Sequence, residues 1–150
     1  MCWFHGKNLF DELQYPLGLI GTNYGGTPIR DWMSSDAKAL CPNETVTSMK
    51  KDYKSDITKY GKGYDFGKGV ESAPNGALYN AMIYPFLPMT IKGAIWYQGE
   101  SDCNYLYGAA YACAFPAMIN DWRAKWKLHS DTDGDFPFGF YSWYNIIGNI

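Results

Sequence analysis

The sequence predicts an α/β domain with a parallel sheet. Two apolar segments with strand character, 15–20 and 93–96, alternate with helical patterns, and a third such segment at 136–144 follows the longest helical pattern. Strands that alternate with helices favour a parallel sheet with right-handed crossovers. The length of 150 residues and the hydrophobic fraction of 47% fit one domain with a real core.

A helix and a strand are predicted at the beginning of the chain. Residues 2–13 have a helical pattern in which Leu9, Phe10 and Leu13 share one face. Residues 15–20 are apolar, which is typical of a buried strand. We therefore expect this helix and this strand to place their apolar side chains in the core.

A glycine-rich turn follows, at residues 21–32. Gly25 and Gly26 allow positive φ angles and a close approach of the backbone to a ligand. Thr27 and Pro28 fit the N-cap and the first position of a short helix. Free N–H groups at such a turn suit an oxyanion, but an ordinary strand-to-helix connection needs the same glycines. Both interpretations remain open on these residues alone.

The middle and the second half of the chain have three further features. Residues 34–72 are rich in Lys, Ser, Asp and Gly and predict a long surface insertion. Residues 77–87 predict a helix that Pro85 ends or bends. Residues 105–126 have the longest helical stripe of aromatic residues, which indicates a core helix. Pro116 inside it predicts a kink or two helical segments.

A polar loop follows the predicted strand at 93–96. The apolar run stops at Gln98, and Glu100 and Asp102 come directly after it. In open α/β sheets, ligands bind beyond the carboxyl ends of the strands. This rule places Gln98 and Glu100 where a site is expected. The alternative is a plain strand end followed by an acidic helix N-terminus.

Composition and charge exclude several function classes. The formal net charge of −2 provides no basic surface for nucleic acid. No apolar run reaches the roughly 18 residues of a membrane-spanning helix. The aromatic fraction of 18% is high, which is typical both of carbohydrate-binding surfaces and of ordinary cores. We therefore expect neither a nucleic-acid partner nor a membrane span.

The cysteines and one sequon give conflicting signals about the cellular compartment. The four cysteines have no CxxC spacing, which argues against a zinc site, and they allow three pairings: they are Cys2, Cys41, Cys103 and Cys113. Asn43 begins a glycosylation sequon, which indicates a secretory route. The N-terminus, however, has no signal-peptide pattern. The conflict disappears if the chain is a piece of a longer protein whose N-terminus is missing here.

The loops provide some of the groups that acyl transfer requires. The N–H groups of Gly25 and Gly26 and the amide of Gln98 are candidate oxyanion donors, and Glu100 is a candidate supporting group. The chemistry needs neither a metal nor another cofactor. A nucleophile and a base are harder to identify in the sequence.

The candidates for nucleophile and base are weak. There is no GxSxG motif, and Ser101 lies between Glu100 and Asp102, whose charges oppose an alkoxide. His5 on the first helix and His129 in a late loop fit surface positions. Glu100 and Asp102 could instead be the carboxylate pair of a glycosidase. A metal site at these acids has no supporting ligand spacing.

Four motifs occur in a fixed order along the chain. They are GTNYGGTPIRDW at 21–32, LYNAMIYP at 78–85, WYQGESD at 96–102 and FPAMINDWR at 115–123. Together with the opening residues up to Ile20, they resemble the sialate O-acetylesterase family over nearly all of residues 1–140. The resemblance implies an SGNH-type serine esterase with a three-layer α/β/α fold. Such enzymes remove O-acetyl groups from sialic acids on glycans, and small acetyl esters are related substrates.

The resemblance also assigns roles to residues. It implies that Gly25 and Gly26 form the glycine part of the oxyanion hole and that Gln98 replaces the usual Asn donor. Glu100 belongs to the same motif in a supporting role. The nucleophilic Ser of the family precedes the first helix, and its catalytic His follows the strand at 136–140, so neither is expected in this chain.

We therefore expect residues 1–150 to be a partial sialate O-acetylesterase domain, truncated at both ends and inactive alone. The parent protein is expected to be lysosomal or secreted. The rival interpretation is a non-catalytic glycan-binding or interaction module derived from the esterase.

Overall fold

The computed structural model describes residues 2–41, 76–102 and 108–141, and in the last range the side chains from residue 111 onward. Its α-helices are α1 (Cys2–Leu13), α2 (Ser35–Ala39), α3 (Ala77–Met82) and α4 (Gly108–His129). Its strands are β1 (Ala94–Tyr97) and β2 (Phe138–Tyr141). Its 3₁₀-helices are η1 (Ile29–Trp32), η2 (Tyr84–Phe86) and η3 (Glu100–Asp102). No helix in these ranges is long and apolar enough to cross a membrane.

The sheet is parallel, as the sequence predicts. β1 pairs with β2 in a register that runs from Ala94 opposite Phe138 to Tyr97 opposite Tyr141. β1 coincides with the expected strand to within one residue. β2 is shorter than the predicted 136–144, of which residues 142–144 lie outside the described part. The chain between the strands includes α4, so the strand–helix–strand order is confirmed.

The predicted strand at 15–20 is not formed within the described residues. The segment is extended, but the sheet there consists of β1 and β2 only. Tyr15 is 69% exposed and Ile20 44% exposed, so the expected burial is wrong as well. The physical reason is that apolar composition favours a strand only where a neighbouring edge provides hydrogen bonds and a packing surface.

The bounds of α1 match the prediction, but the expected burial of its apolar face does not occur. Leu13 is 61% exposed and Phe10 45% exposed. The buried residue of this helix is Gly6, which lies against the side chain of Leu19. The helix therefore packs on the extended segment that follows it and leaves most of its apolar side chains in solvent.

The core is formed by aromatic side chains of α4 and of the elements around it. Trp96 of β1 makes edge contacts with the rings of Trp32 and Trp122, at centroid distances of 5.9 and 5.8 Å. Met118 is fully buried beneath them in the same cluster. The stripe along α4 is thus core, as predicted.

Pro116 does not divide α4 into two segments. The helix is continuous from Gly108 to His129, although Pro116 has no N–H to donate to the preceding turn. Residues on both sides of the proline, including Tyr111 and Met118, are buried in the core. Packing on both sides stabilises a single helix despite the missing hydrogen bond.

The beginning of the predicted insertion at 34–72 packs into the core. Ser34 caps α2 by accepting a hydrogen bond from Ala37 N at 3.1 Å, and Ala37 is fully buried. Residues 42–72, with the sequon at Asn43, lie outside the described part. Farther along, α3 ends at Met82 and η2 contains Pro85 in its first turn, as the sequence predicts.

One disulfide is present among the described cysteines. Cys41, which follows α2, forms a disulfide with Cys113 of α4. Cys2 is a free thiol, and Cys103 lies outside the described residues. The disulfide fixes α2 to the helix that forms the core.

Candidate functional site

A glycine turn forms one side of the candidate site. Gly25 and Gly26 are exposed, and Gly26 has a φ of 75°, a conformation that favours glycine. A Cβ added to Gly25 would have no atom within 4 Å, so the backbone there borders open space. Thr27 closes the turn by donating its hydroxyl to Tyr24 O at 2.8 Å. This is the loop in which the sequence predicts backbone donors.

Thr27 is not the N-cap that the sequence predicts. Its hydroxyl accepts a hydrogen bond from Trp32 Nε1 at 3.0 Å in addition to the one it donates. The capping position of η1 is Pro28, which has no side-chain cap. The hydroxyl instead stabilises the turn, by donating to Tyr24 O, and the buried indole of Trp32, by accepting its N–H.

Gln98 connects this turn to the end of β1. The side chain is buried, and its Nε2 donates to Thr27 O at 3.1 Å and to Asp102 Oδ2 at 2.5 Å. Two acceptors on this side fix which end of the amide carries the hydrogens. Gln98 Oε1 is buried and accepts no hydrogen bond from the described residues. The amide is thus held rigidly beside the glycine turn.

The anchoring role of Asp102 is not predicted by the sequence analysis, which considers this residue only as one of a carboxylate pair. Its carboxylate is buried, and Oδ2 accepts hydrogen bonds from Ile29 N at 2.9 Å and from Gln98. Burial raises the pKa of the Asp102 carboxyl, and the hydrogen bonds from Gln98 and Ile29 oppose this rise. An acid after a strand end resembles a solvated helix N-terminus in sequence. No local signal distinguishes that from a buried anchor.

Glu100 and Ser101 lie in η3, between Gln98 and Asp102 in the chain, and both are exposed. Glu100 and Asp102 therefore have different environments, the first exposed and the second buried. His5 on α1 and His129 at the end of α4 are exposed on other elements. Within the described ranges, no group of three or more His, Cys, Asp or Glu side chains could hold a metal ion.

The arrangement can bind a developing negative charge. The N–H groups of Gly25 and Gly26 make no hydrogen bond with other described residues, so they remain available as donors. The side-chain amide of Gln98 donates a hydrogen bond to the carbonyl of Thr27, the residue that follows Gly26 in the turn. An oxyanion hole requires donors that the fold fixes before the reaction. The glycine turn has such donors, whereas both hydrogens of the Gln98 amide donate to described residues.

The raised pKa of Asp102 predicts a specific pH dependence. The folded carboxyl holds its proton to higher pH than the unfolded one. Its contribution to the free energy of unfolding is therefore fully present below the ordinary Asp pKa of about 4 and is lost as the pH rises through the raised pKa of the folded protein. We expect the stability advantage of the wild type over Asp102→Asn to shrink between pH 4 and pH 7, as measured by urea unfolding.

The matched control for this experiment is Asp131→Asn, because Asp131 is exposed. This variant should follow the wild-type pH profile. An Asp102→Asn difference that grows toward pH 7 would contradict the predicted direction.

Comparison with known proteins assigns the chain to a family. The family profile described as "Carbohydrate esterase, sialic acid-specific acetylesterase" matches residues 2–130. The chain belongs to this family. The sialic acid-specific acetylesterases are carboxylic ester hydrolases, and the resemblance carried by the four sequence motifs is thereby confirmed.

Individual relatives agree with the family assignment. The sialate O-acetylesterase of Homo sapiens is 40% identical over 141 residues, which cover 93% of this chain and 24% of the human protein. The Rattus norvegicus sialate O-acetylesterase is 40% identical over 156 residues, covering 93% of this chain and 28% of the rat protein. The chain thus spans about a quarter of the length of the curated relatives it matches.

A solved structure is also similar. A carbohydrate acetylesterase from Xanthomonas citri has a TM-score of 0.66 and 27% sequence identity to this chain. The similarity covers 92% of this chain and 25% of the bacterial one. The matched region therefore resembles the fold of an acetylesterase. The parallel sheet also agrees with the sequence prediction.

Proposed function

We propose that this chain provides the oxyanion-binding side of an acetylesterase site for O-acetylated sialic acids on glycans or for small acetyl esters. Family membership supports the reaction class. The single observation that carries the proposal is the hydrogen bond from Gln98 Nε2 to Thr27 O, because it holds the side-chain donor against the glycine turn. Residues at the end of β1 and in a loop about 70 positions earlier thereby form one set of donors.

The proposed mechanism is serine acyl transfer. A serine hydroxyl gives its proton to a base and attacks the acetyl carbonyl carbon, so that the carbonyl oxygen becomes an oxyanion. Collapse of the tetrahedral intermediate expels the sugar oxygen, which takes up that proton, and leaves an acetyl-serine that water hydrolyses to acetate and free serine. The N–H groups of Gly25 and Gly26 donate to the oxyanion. Because these donors are fixed by the fold before the reaction, they stabilise the intermediate without reorganisation.

Gln98 joins this set of donors when one of its amide hydrogens leaves Thr27 O and donates to the oxyanion instead. Both hydrogens of its amide already donate, one to Thr27 O at 3.1 Å and one to Asp102 at 2.5 Å. The longer bond goes to a neutral carbonyl, and a hydrogen bond to a charged oxygen is about twice as strong as one to a neutral oxygen. The oxyanion therefore competes with Thr27 O for that hydrogen, while Asp102 keeps the amide oriented. Glu100 supports this loop.

The remaining parts of the proposal concern the fold, the activity of the chain alone and its location. We propose that the chain belongs to a three-layer α/β/α esterase whose nucleophile and base lie in the part of the polypeptide that these 150 residues do not match, so that the chain alone is inactive. A lysosomal or secreted location is proposed because the Cys41–Cys113 disulfide is typical of oxidising compartments. We also propose glycosylation at Asn43, because this modification occurs on the secretory route.

The test is acetate release from an O-acetylated sialoside by two proteins. The purified chain should release no acetate above the blank. Residues 2–141, grafted in place of the matching segment of the human relative, should give an active enzyme. Gln98→Ala in this graft should lower kcat by about 10²–10³-fold with little change in KM, because a lost oxyanion donor destabilises the transition state only.

Gln14→Ala in the same graft is the matched control, since Gln14 is an exposed glutamine on α1's C-terminal side. Thermal unfolding should show that all grafts are folded. A folded graft without activity, or a Gln98→Ala graft as fast as its parent, would reject the proposed role. Acetate release by the 150-residue chain itself would reject the proposed inactivity.

A further inference from the structure

Helix α4 and the loop that follows it border an open cleft, here called the α4 cleft. Its volume is about 270 Å³, close to the lower end of the roughly 300–1,000 Å³ that is typical of small-molecule sites. Four lining residues share one face of the helix and two come from the loop: Asn120, Arg123, Ala124, Lys127, Gly134 and Asp135. A cleft of this size has room for a ligand larger than an inorganic ion.

The α4 cleft lies at the opposite end of the sheet from the glycine turn. Asp135 precedes the amino end of β2, and Pro137 O accepts a hydrogen bond at 3.0 Å from Ala94 N, at the amino end of β1. Gln98 follows the carboxyl end of β1, which is parallel to β2 and spans about 13 Å. One sugar ring bound in the cleft therefore does not reach the Gly25–Gly26 turn.

Arg123 is held in a fixed orientation at the wall of the cleft. Its Nε and Nη2 donate to Phe136 O at 3.3 and 2.8 Å, and its guanidinium carbon lies 5.7 Å from the centre of the Phe136 ring. These contacts use only part of the donors of the guanidinium. Arg123 forms no ion pair with another described residue. Its charge is therefore not neutralised, and a ligand meets an oriented group.

Lys127 provides a second cation, one helical turn farther along α4. Its stem lies against the loop, since a Cβ added to Gly134 would lie 2.7 Å from Lys127 Cδ. Lys127 is exposed and forms no ion pair with another described residue. The lining of the cleft contains two cations and one carboxylate, that of Asp135. The cleft therefore favours an anionic ligand.

The other polar groups favour a sugar acid over a phosphate. The Asp135 carboxylate repels a doubly charged phosphate more strongly than a singly charged carboxylate. The same carboxylate accepts hydrogen bonds from sugar hydroxyls, and the Asn120 amide both donates and accepts. Sialic acid, which the family profile names, is a sugar with a carboxylate. We propose that the α4 cleft is a second, non-catalytic site for sialic acid, whose carboxylate contacts Arg123 and Lys127.

Such a site gives the protein a second point of attachment to a glycan. A glycan that carries several sialic acids can bind the cleft through one of them, which raises the effective concentration of the others near the protein. The choice of sugar rests on family membership. The site does not depend on the role proposed for Gln98.

The experiment is titration of the purified 150-residue chain with the methyl α-glycoside of N-acetylneuraminic acid, followed by amide NMR. This sialoside has no O-acetyl group, so it is not a substrate of the proposed reaction. We expect a Kd on the order of millimolar, with shifts of the Gly134 and Asp135 amide signals and none at Gly25 and Gly26. The methyl ester of the same sialoside should bind about tenfold more weakly, because its carboxyl group is uncharged.

Two variants test the second cation. Lys127→Gln should weaken binding about fivefold or more, because it removes the charge and keeps most of the stem. Gly134→Ala should also weaken binding, because the new Cβ displaces the stem of Lys127. Lys92→Gln is the matched control, since Lys92 is exposed and does not line the cleft, and its Kd should equal that of the wild type.

Several outcomes would overturn the second site. These are the absence of sialoside binding, a Kd that Lys127→Gln does not change, and shifts at Gly25 and Gly26 in place of those at Gly134 and Asp135. Acetate or inorganic phosphate that binds as tightly as the sialoside would also overturn it, because the cleft would then bind an adventitious ion only.

The second site and the proposed function fail in different ways. An active graft of residues 2–141 together with a 150-residue chain that does not bind the sialoside supports the proposed function and overturns the second site. Binding in the α4 cleft together with a folded but inactive graft supports the second site and counts against the proposed function.

Discussion

Replacement of Cys41 and Cys113 by alanine is expected to lower the free energy of unfolding by about 4 kcal/mol. The disulfide joins residues that are 72 positions apart. In the chain-entropy treatment, a cross-link closing a loop of this length removes enough freedom from the unfolded chain to account for that value. This is a large part of the roughly 5–15 kcal/mol that stabilises a typical domain.

Urea unfolding followed by circular dichroism measures the effect of the disulfide. Cys2→Ala is the control, because Cys2 is a free thiol and its replacement should change stability by less than about 0.5 kcal/mol. Addition of a reductant should lower the stability of the wild type to that of the double variant. Equal stability of the oxidised wild type and the double variant would show that the cross-link contributes nothing.

The second large effect is expected for Trp122→Ala, at about 3–5 kcal/mol of lost stability. Trp122 is 4% exposed and contacts the rings of Trp96, Trp126 and Phe138 at centroid distances of 5.8, 6.1 and 6.0 Å. Its Nε1 also donates to Trp32 O at 3.2 Å. The substitution therefore leaves a cavity and deprives a buried carbonyl of its donor.

Leu128→Ala on the same helix separates this effect from helix propensity, because Leu128 is 77% exposed and should cost less than about 0.5 kcal/mol. Near-UV circular dichroism and urea unfolding are the measurements. A Trp122→Ala variant that loses no more than Leu128→Ala would contradict the position of Trp122 at the centre of the core.

The elements that the sequence predicts correctly are those whose packing partners lie within the described chain. The stripe of α4 and the apolar run of β1 have each other and the tryptophans of neighbouring elements as partners, so pattern and burial agree. The bounds of α1 are also predictable, because helix formation depends on local periodicity. Its burial is not, because periodicity shows which side chains favour burial and does not provide the surface that buries them.

The same distinction applies to the candidate site, where local sequence signals identify some residues and distant contacts determine the role of others. Gly25, Gly26 and Gln98 are identifiable because glycine pairs and a polar strand end have local signatures. The anchoring role of Asp102 depends on Ile29 N, a backbone group 73 positions away, and the second partner of Gln98 is a carbonyl 71 positions away. Backbone donors and acceptors leave no trace in residue identity, so these contacts appear only in the folded chain.

Three connections between the same two stretches of chain have nearly equal spans. The hydrogen bond from Gln98 to Thr27 O bridges 71 residues, the disulfide 72, and the hydrogen bond from Ile29 N to Asp102 73. All three are contacts within one chain, and closing any one of them shortens the loop that the other two have to close, which lowers the entropy cost of forming them. Formation of the disulfide therefore also brings Gln98 and Thr27 closer together. Cysteine oxidation and formation of the two hydrogen bonds therefore close the same loop of the chain.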